Sequence, residues 1–424
     1  MVMVPRVVPG ETVAVRLLQQ KRGYAHAELV EVLQPGAMRV EPPCAYYDQC
    51  GGCDLQHISY SDQLLIKQQI LIEQFDRGMV GDTSWRQKLS DIQPAQEPFN
   101  YRQRVRFQIA GRGEIGFFRR RSQEVIPVSK CLIAAPIINK VFAELLENKG
   151  ACHIIEHSEA VELLHDQRED TVAALFHFTR KPRAMDSVQA AKCVEEITAL
   201  NSLFIKTKFS GDFGPFQRET PEGGNRPSGV LHYAVHLADG KTVTMLFEVG
   251  GFCQVNAGQN EKLVQTLLDW GSPAGETTIL DLYCGLGNFS IPAALYGKRV
   301  VGMDIQRSAI RSARKNAENN GLSNCLFEQK SALEAAHNLA ESGASFDLVI
   351  LDPPRQGCKE IIPYIEKIAS SRVIYISCDP ATLARDLALL SSSGFQVEKI
   401  QGLDMFPQTH HIETIVSLKK TAAI

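Results

Sequence analysis

Several things are missing from this chain, and each absence removes a class of protein. No stretch approaches the ~18 uninterrupted apolar residues of a membrane-crossing helix. Met1 leads into Val2-Met3-Val4-Pro5-Arg6, not a charged start followed by an apolar run, so no secretory leader is read. A cytoplasmic protein without a membrane partner is expected. Charge of one sign is also lacking: the net charge is −3 and the pI near 6.4, so any nucleic-acid contact must rest on local patches. An even cysteine set is absent too. Eleven cysteines spread through 424 residues favour metal binding or catalysis over a disulfide framework. There are no internal repeats and no low-complexity tract.

What is present is globular: 44% hydrophobic and 22% charged residues, in a chain too long for one ordinary core at ~100–200 residues per domain. Residues 1–43 alternate apolar and polar positions in 12–16 and 27–32 between Pro-Gly turns, which predicts a small β module with room for about three strands. Apolar positions Leu64, Leu65, Ile70, Leu71 and Phe75 predict a helix over 60–76, ending near Gly78. Residues 98–250 mix short β patterns with turns, and the Gly/Pro-rich stretch from Gly211 to Gly229 reads as a loop. Over 275–418 strands and helices alternate in βα order, the arrangement of a parallel sheet covered on both faces. Strands are expected at 278–282, 300–303, 346–351 and 373–377, with helices at 306–320 and 380–392.

Within that region Asp281-Leu282-Tyr283-Cys284-Gly285-Leu286-Gly287-Asn288 sits where a strand turns into a helix, and its glycines allow close approach of backbone to a ligand. The dinucleotide fingerprint would need a further Gly or Ala where Ser290 stands. The next strand ends at Asp304, where a carboxylate can hold ribose hydroxyls. This pattern serves a nicotinamide cofactor or S-adenosylmethionine. Asp352-Pro353-Pro354-Arg355 follows another strand at its carboxyl end, where two prolines stiffen the turn. Enzymes that methylate the adenine amino group carry an aromatic directly after a similar Pro-Pro pair; Arg355 stands there instead. Cys378 lies at a strand end just before a helix that begins near Pro380, and helix dipoles are expected to lower its pKa from the ordinary ~8.5.

Phe252-Cys253-Gln254-Val255-Asn256, the Asp281–Asn288 turn, Asp352–Arg355, Ser377-Cys378-Asp379-Pro380 and the terminal Asp404–Glu413 run together resemble the motif series of the bacterial RNA uracil-C5 methyltransferases. Weaker similarity extends to the N-terminus, and the chain is most similar to those members that make 5-methyluridine in 23S rRNA. The resemblance implies a Rossmann-like class I S-adenosylmethionine-dependent methyltransferase domain over 251–424. It implies an α+β central iron–sulfur and RNA-binding domain over 44–250, whose helix at 60–80 can pack on the C-terminal domain. Residues 1–43 resemble the later part of an OB-like TRAM module. It further implies Cys378 as nucleophile and Glu413 as base, with Gln254, Tyr283, Asn288, Asp304 and Asp352 in the donor pocket. Asp304 is shorter than the Glu common in the family, and Asp379 replaces a frequent Asn. The chemistry needs these residue types: uracil C5 is a poor nucleophile until a thiolate adds to C6, and the C5 proton must then leave to a base.

Cys44, Cys50 and Cys53 come from one glycine-bearing loop, and Cys131 could supply a fourth thiolate. Zinc and an iron–sulfur cluster both accept four thiolates. Three clustered cysteines plus one remote suit a [4Fe–4S] cube, and the family carries one on matching residues, including Gln56-His57 after the third Cys. Tyr101 to Arg121 holds Arg102, Arg104, Arg106, Arg112, Arg119, Arg120 and Arg121 with Tyr101, Phe107, Phe117 and Phe118 interleaved, a composition suited to phosphate contact and base stacking. The expected partner is RNA, 23S rRNA first and a tRNA uridine as rival, with no obligate protein partner. An iron–sulfur redox protein is the rival from another class, and it would leave Cys378 and Glu413 unused.

Overall fold

The computed structural model describes residues 1–208, 211–217 and 229–421. The N-terminal alternation forms β1 (Val2–Met3), β2 (Thr12–Lys21) and β3 (Tyr24–Gln34), ordered β1-β3-β2. Lys21 pairs with Tyr24, leaving a two-residue hairpin turn in which Gly23 takes φ 94°, the left-handed region that a tight primed turn demands. Arg39 fastens the base of this sheet by pairing with Glu11 and donating to the Arg6 carbonyl at 2.8 Å. That ion pair holds the Glu11 carboxyl down to about 2. Downstream, α1 (Tyr60–Gly78) is capped by the Ser59 hydroxyl, which accepts the Asp62 N–H, and it buries Gln63, Lys67, Leu71 and Phe75, a stripe at helical spacing. The short strand β4 (Leu89–Gln93) follows.

The central region contains β5 (Arg104–Ala110), β6 (Glu114–Phe118), β7 (Val125–Pro127), α2 (Pro136–Glu147), α3 (Lys149–Ile155), β8 (Ser158–Asp166), β9 (Thr171–Phe178), α4 (Ala184–Glu196), β10 (Leu200–Thr207) and β11 (Gly211–Gln217). Its strands form one sheet in the order β11-β10-β9-β8-β5-β6-β7. Apolar side chains of α2, α3 and α4 pack on it around Phe107, Phe142 and Phe176. The stretch read as a loop from Gly211 is a strand over Gly211–Gln217. Pro215 is tolerated there because β11 is the sheet edge and pairs with β10 through an irregularity between Leu203 and Ile205. Residues 218–228 of that stretch lie outside the described residues.

A hairpin, β12 (Val230–His236) and β13 (Thr242–Glu248), leads into α5 (Ala257–Gly271), β14 (Thr278–Leu282), α6 (Ser290–Ala294), β15 (Arg299–Asp304), α7 (Arg307–Asn319), β16 (Cys325–Gln329), α8 (Ala332–Glu341), β17 (Phe346–Leu351), α9 (Ile362–Ile368), β18 (Ala369–Ser377), α10 (Pro380–Ser392), β19 (Phe395–Leu403) and β20 (Glu413–Lys420). The eight-stranded sheet runs β16-β15-β14-β17-β18-β20-β19-β4. Its members pair in parallel except β20, which inserts antiparallel between β18 and β19. Buried apolar clusters lie on both faces, the reason these strands read as apolar runs instead of alternating ones. The hairpin contributes Leu231, Tyr233, Val243 and Phe247 to the first of these clusters. On the other face α1 packs against α10 so closely that a Cβ on Gly78 would lie 2.4 Å from Ala384 Cβ. Strand order reverses between β14 and β17, opening a crevice at the carboxyl ends of the strands.

Candidate active site and cysteine cavity

That crevice is a cavity of about 740 Å³ lined by Gln254, Tyr283, Asn288, Asp304 and Asp352 together with Cys378 and Glu413. Gly285 has φ 56° and no atom within 4 Å of where a Cβ would sit, so the turn presents bare backbone to open space. Asp304 holds the turn from β15 by accepting from Gly285 N at 3.0 Å and Gln306 N at 2.7 Å. Tyr283 keeps φ 71°, a conformation that a bulky residue holds only when its surroundings enforce it. Asn288 turns partly inward: it accepts from Tyr233 Oη at 3.0 Å and exchanges amide bonds with Asn260 at 2.9 and 2.8 Å. Beneath the turn Asp281 is buried, bonded to Ser290 through one oxygen and unpartnered at the other. Burial pushes its carboxyl up to about 8. An orphaned acceptor below a bare glycine turn, with a carboxylate at the next strand end, fits an S-adenosylmethionine whose amino and ribose groups would be held there.

The reacting end lies at β18 and β20. Cys378 follows β18, and Glu413 opens β20. The expected lowering of the Cys378 thiol is reversed: burial raises it, neighbouring Glu413 raises it further, and Arg355 opposes both by its charge and a hydrogen bond. The dipole has little left to offer, because Asp379 already accepts the Thr382 N–H at 2.9 Å and Pro380 has no N–H. Glu413 and Asp352 are both pushed up by burial, and charge repulsion from Asp352 raises Glu413 further. Burial also pushes His411, on the same cavity wall, down to about 4. Arg355 was legible in the sequence only as a missing aromatic; an arginine held behind two prolines at a strand end was the available sign of a thiolate partner.

Cys44, Cys50, Cys53 and Cys131 line one second cavity of about 450 Å³, which shares Phe252 and Cys253 with the first. All are free thiols. Burial raises Cys50, Cys53 (to about 12) and Cys131 (to about 11), and the cysteines raise one another by proximity. Gln56 hydrogen-bonds Cys53 but leaves its own Oε1 buried and unpartnered. Four half-buried thiols around one cavity, three of them raised by burial and by their neighbours, are a donor set that a bound metal would relieve.

The Arg-aromatic segment divides by face. On β5, Val105 and Phe107 point inward and Arg104 and Arg106 outward, as strand alternation requires. Phe107 stacks on Phe142 with centroids 4.0 Å apart, and Tyr101 is buried and donates to Pro407 O at 3.1 Å. Neither is free to stack on a base, contrary to the expectation; Phe118 is the exposed aromatic of the set. Glu162 engages Arg104, Arg106 and His177, Glu124 engages Arg119, and Asp54 engages Arg120. The side chain of Arg112 lies outside the described residues.

A sheet of this order, with glycine turn, strand-end carboxylate and orphaned acceptor around one crevice, defines a class I S-adenosylmethionine-dependent methyltransferase. The comparisons narrow the class. The family model for tRNA (uracil-5-)-methyltransferases matches residues 231–421. Over 422 residues the chain is 33% identical to the 23S rRNA (uracil(1939)-C(5))-methyltransferase RlmD of Shewanella sp. (strain MR-7), covering 98% of this chain and 90% of that protein. It is 34% identical to an uncharacterized RNA methyltransferase of Thermosynechococcus vestitus, over 98% of this chain and 92% of that one. Its fold is similar to the crystal structure of Pyrococcus abyssi tRNA (uracil-54, C5)-methyltransferase in complex with S-adenosyl-L-homocysteine, with a TM-score of 0.74 at 24% identity over 98% of this chain and 95% of that one. The chain belongs to the RNA uracil-C5 methyltransferase family. Among the described residues no helix is long and apolar enough to cross a membrane.

Proposed function

We propose that this protein makes 5-methyluridine in 23S rRNA through a covalent bond between Cys378 and uracil C6. The carrying observation is that Cys378, Arg355 and Glu413 line the same cavity as the glycine turn and Asp304. S-adenosylmethionine, when bound, supplies a methyl group on a sulfonium. Gln254, Tyr283, Asn288, Asp304 and Asp352 would hold that donor. Cys378, as thiolate stabilised by Arg355, adds to C6, and the electron pair displaced toward C5 lets C5 bond to the methyl carbon while the S–CH3 bonding pair stays on the donor sulfur, which leaves as a neutral thioether. Glu413, once ionised, takes the C5 proton; the pair left behind reforms the C5–C6 double bond and expels the Cys378 thiolate. The target base must leave its stack to reach this cavity.

In this reading Cys44, Cys50, Cys53 and Cys131 hold a [4Fe–4S] cluster in a structural or RNA-facing role, since methyl transfer requires no electron. Residues 1–43 are a partial TRAM-like module, 44–250 the cluster and RNA-binding domain, and 251–424 the methyltransferase domain, and the protein works in the cytoplasm. Mapping 5-methyluridine in 23S rRNA and tRNA from a strain lacking the gene tests the substrate. Loss of 5-methyluridine from 23S rRNA is expected. Loss confined to tRNA would transfer the reading to a tRNA uridine, and unchanged RNA of both kinds would reject it.

A further inference from the structure

The loop between β19 and β20 carries Phe406 and His411 into the catalytic cavity and ends at Glu413, the first residue of β20, yet little of its own backbone holds it. Its internal main-chain bonds are Met405 N to Leu403 O at 3.0 Å and Thr409 N to Phe406 O at 3.2 Å. Asn256 Nδ2 donates to Met405 O at 3.1 Å and Thr409 Oγ1 to Phe406 O at 2.8 Å; most of the other restraints come from a part of the chain more than 300 residues earlier. Gln63, on α1 and 1% exposed, donates through Nε2 to the carbonyls of Leu55 (3.0 Å) and Ile58 (2.9 Å) and to Gln408 Oε1 (3.0 Å), and its Oε1 accepts from Gln408 N at 3.2 Å. The Gln408 carbonyl in turn accepts from Asp54 N at 2.8 Å and Leu55 N at 3.0 Å.

One turn along the same helix, Lys67 reaches the Asp404 carboxylate and donates to Phe406 O at 3.1 Å, while Tyr60 Oη donates to Asp404 at 2.9 Å. At the other end of the loop His410 Nδ1 lies 2.6 Å from Asp54. Gln408 sits at φ 69°, a left-handed conformation that a non-glycine residue keeps only where its neighbours over-determine it. Gln63 is the group that supplies this on both the amide and the side chain of Gln408.

We infer that Gln63 is a positioning residue for the uracil end of the site: it fixes the loop that bears Phe406 and His411 and leads into Glu413, and ties it to the segment immediately after Cys53. The inference rests on the uracil-C5 reading. Removing the Gln63 amide leaves the donor pocket untouched but lets the loop shift, so binding and chemistry separate.

The test uses the full-length, iron-loaded protein and Gln63→Leu, which keeps the volume and deletes the polar contacts. With saturating S-adenosylmethionine, kcat and the rate of covalent adduct formation on 5-fluorouridine RNA should fall about 10–100-fold, the scale of a reacting group misplaced by ~1 Å. KM for RNA, Kd for S-adenosylmethionine and bound iron should stay at wild-type values. A wild-type adduct rate, or a fall in kcat matched by an equal loss of donor affinity, overturns the inference. If Gln63→Leu loses iron or fails to fold, Gln408→Ala, which removes only the far side chain of the contact, replaces it: the same selective fall supports the inference and wild-type kcat overturns it. Wild-type protein that forms no adduct on this RNA would reject the uracil reading itself, whereas normal wild-type adducts with an unimpaired Gln63→Leu reject only the positioning role.

Discussion

Lys67 and Asp404 form an ion pair with both side chains at 0% exposure, joining positions 337 apart in the chain. Burial pushes the Lys67 ammonium down and Asp404 pulls it back up. The pair fastens a helix from the N-terminal half to the start of the loop that leads to Glu413.

Breaking this pair from one side should be expensive. Lys67→Met leaves Asp404 buried with only Tyr60 to satisfy it, and should cost about 3–5 kcal/mol of unfolding free energy in urea denaturation. Lys67→Met combined with Asp404→Leu should recover much of that loss, since no uncompensated charge remains. A single variant as stable as wild type would show that this pair does not carry the stability assigned to it.

The two halves of the chemistry should separate by mutation. Cys378→Ala should abolish methylation while S-adenosylmethionine binding persists, and 5-fluorouridine RNA should trap the wild-type enzyme because fluorine cannot leave as a proton does. Glu413→Gln should accumulate a methylated adduct on ordinary RNA, because addition and transfer proceed while elimination stalls. Full turnover by Glu413→Gln would move the base elsewhere, with His411 next in line.

The pH profile follows from the direction of the Cys378 shift. Burial favours the neutral thiol and raises its pKa, and Arg355 counters this. The reactive thiolate therefore grows as pH rises, and adduct formation should accelerate toward alkaline pH. Arg355→Ala removes the opposing cation, so the midpoint should move further alkaline; stopped-flow measurement of adduct formation across pH reads this directly. Glu413, also raised, must ionise before it can accept the C5 proton, so elimination should speed up with pH as well. An acid shift in Arg355→Ala would show that the guanidinium does not stabilise the thiolate.

Purified without oxygen, the protein should be brown and contain about four iron per chain. Stoichiometric zinc with negligible iron would refute the cluster. Cys53→Ser should lose the metal and much of its solubility, because the loop carrying Cys50 and Cys53 has little apolar surface to hold it otherwise.

The sequence by itself determined what depends on neighbours along the chain. The βα alternation from Thr278 onward, the glycine turn at Gly285 and Gly287, the carboxylates Asp304 and Asp352 at strand ends and the position of Cys378 before Pro380 were legible because strand period, turn chemistry and helix starts are local. The spacing of Cys44, Cys50 and Cys53 was legible for the same reason. Tertiary structure alone decided the rest. β4, far upstream, joins the C-terminal sheet beside β19 because a short strand finds its partner by shape, not by order along the chain. Tyr101 and Phe107 read as stacking aromatics until the β5 pleat turned Phe107 into the core and Pro407 took the Tyr101 hydroxyl. The sign of the Cys378 shift was hidden because burial and the approach of Arg355 and Glu413 exist only once β17, β18 and β20 are adjacent. Gln63 carried no motif at all; its proposed role arises where the neighbouring Leu55–Ile58 turn and the distant Gln408 each leave a backbone group for a buried amide to satisfy.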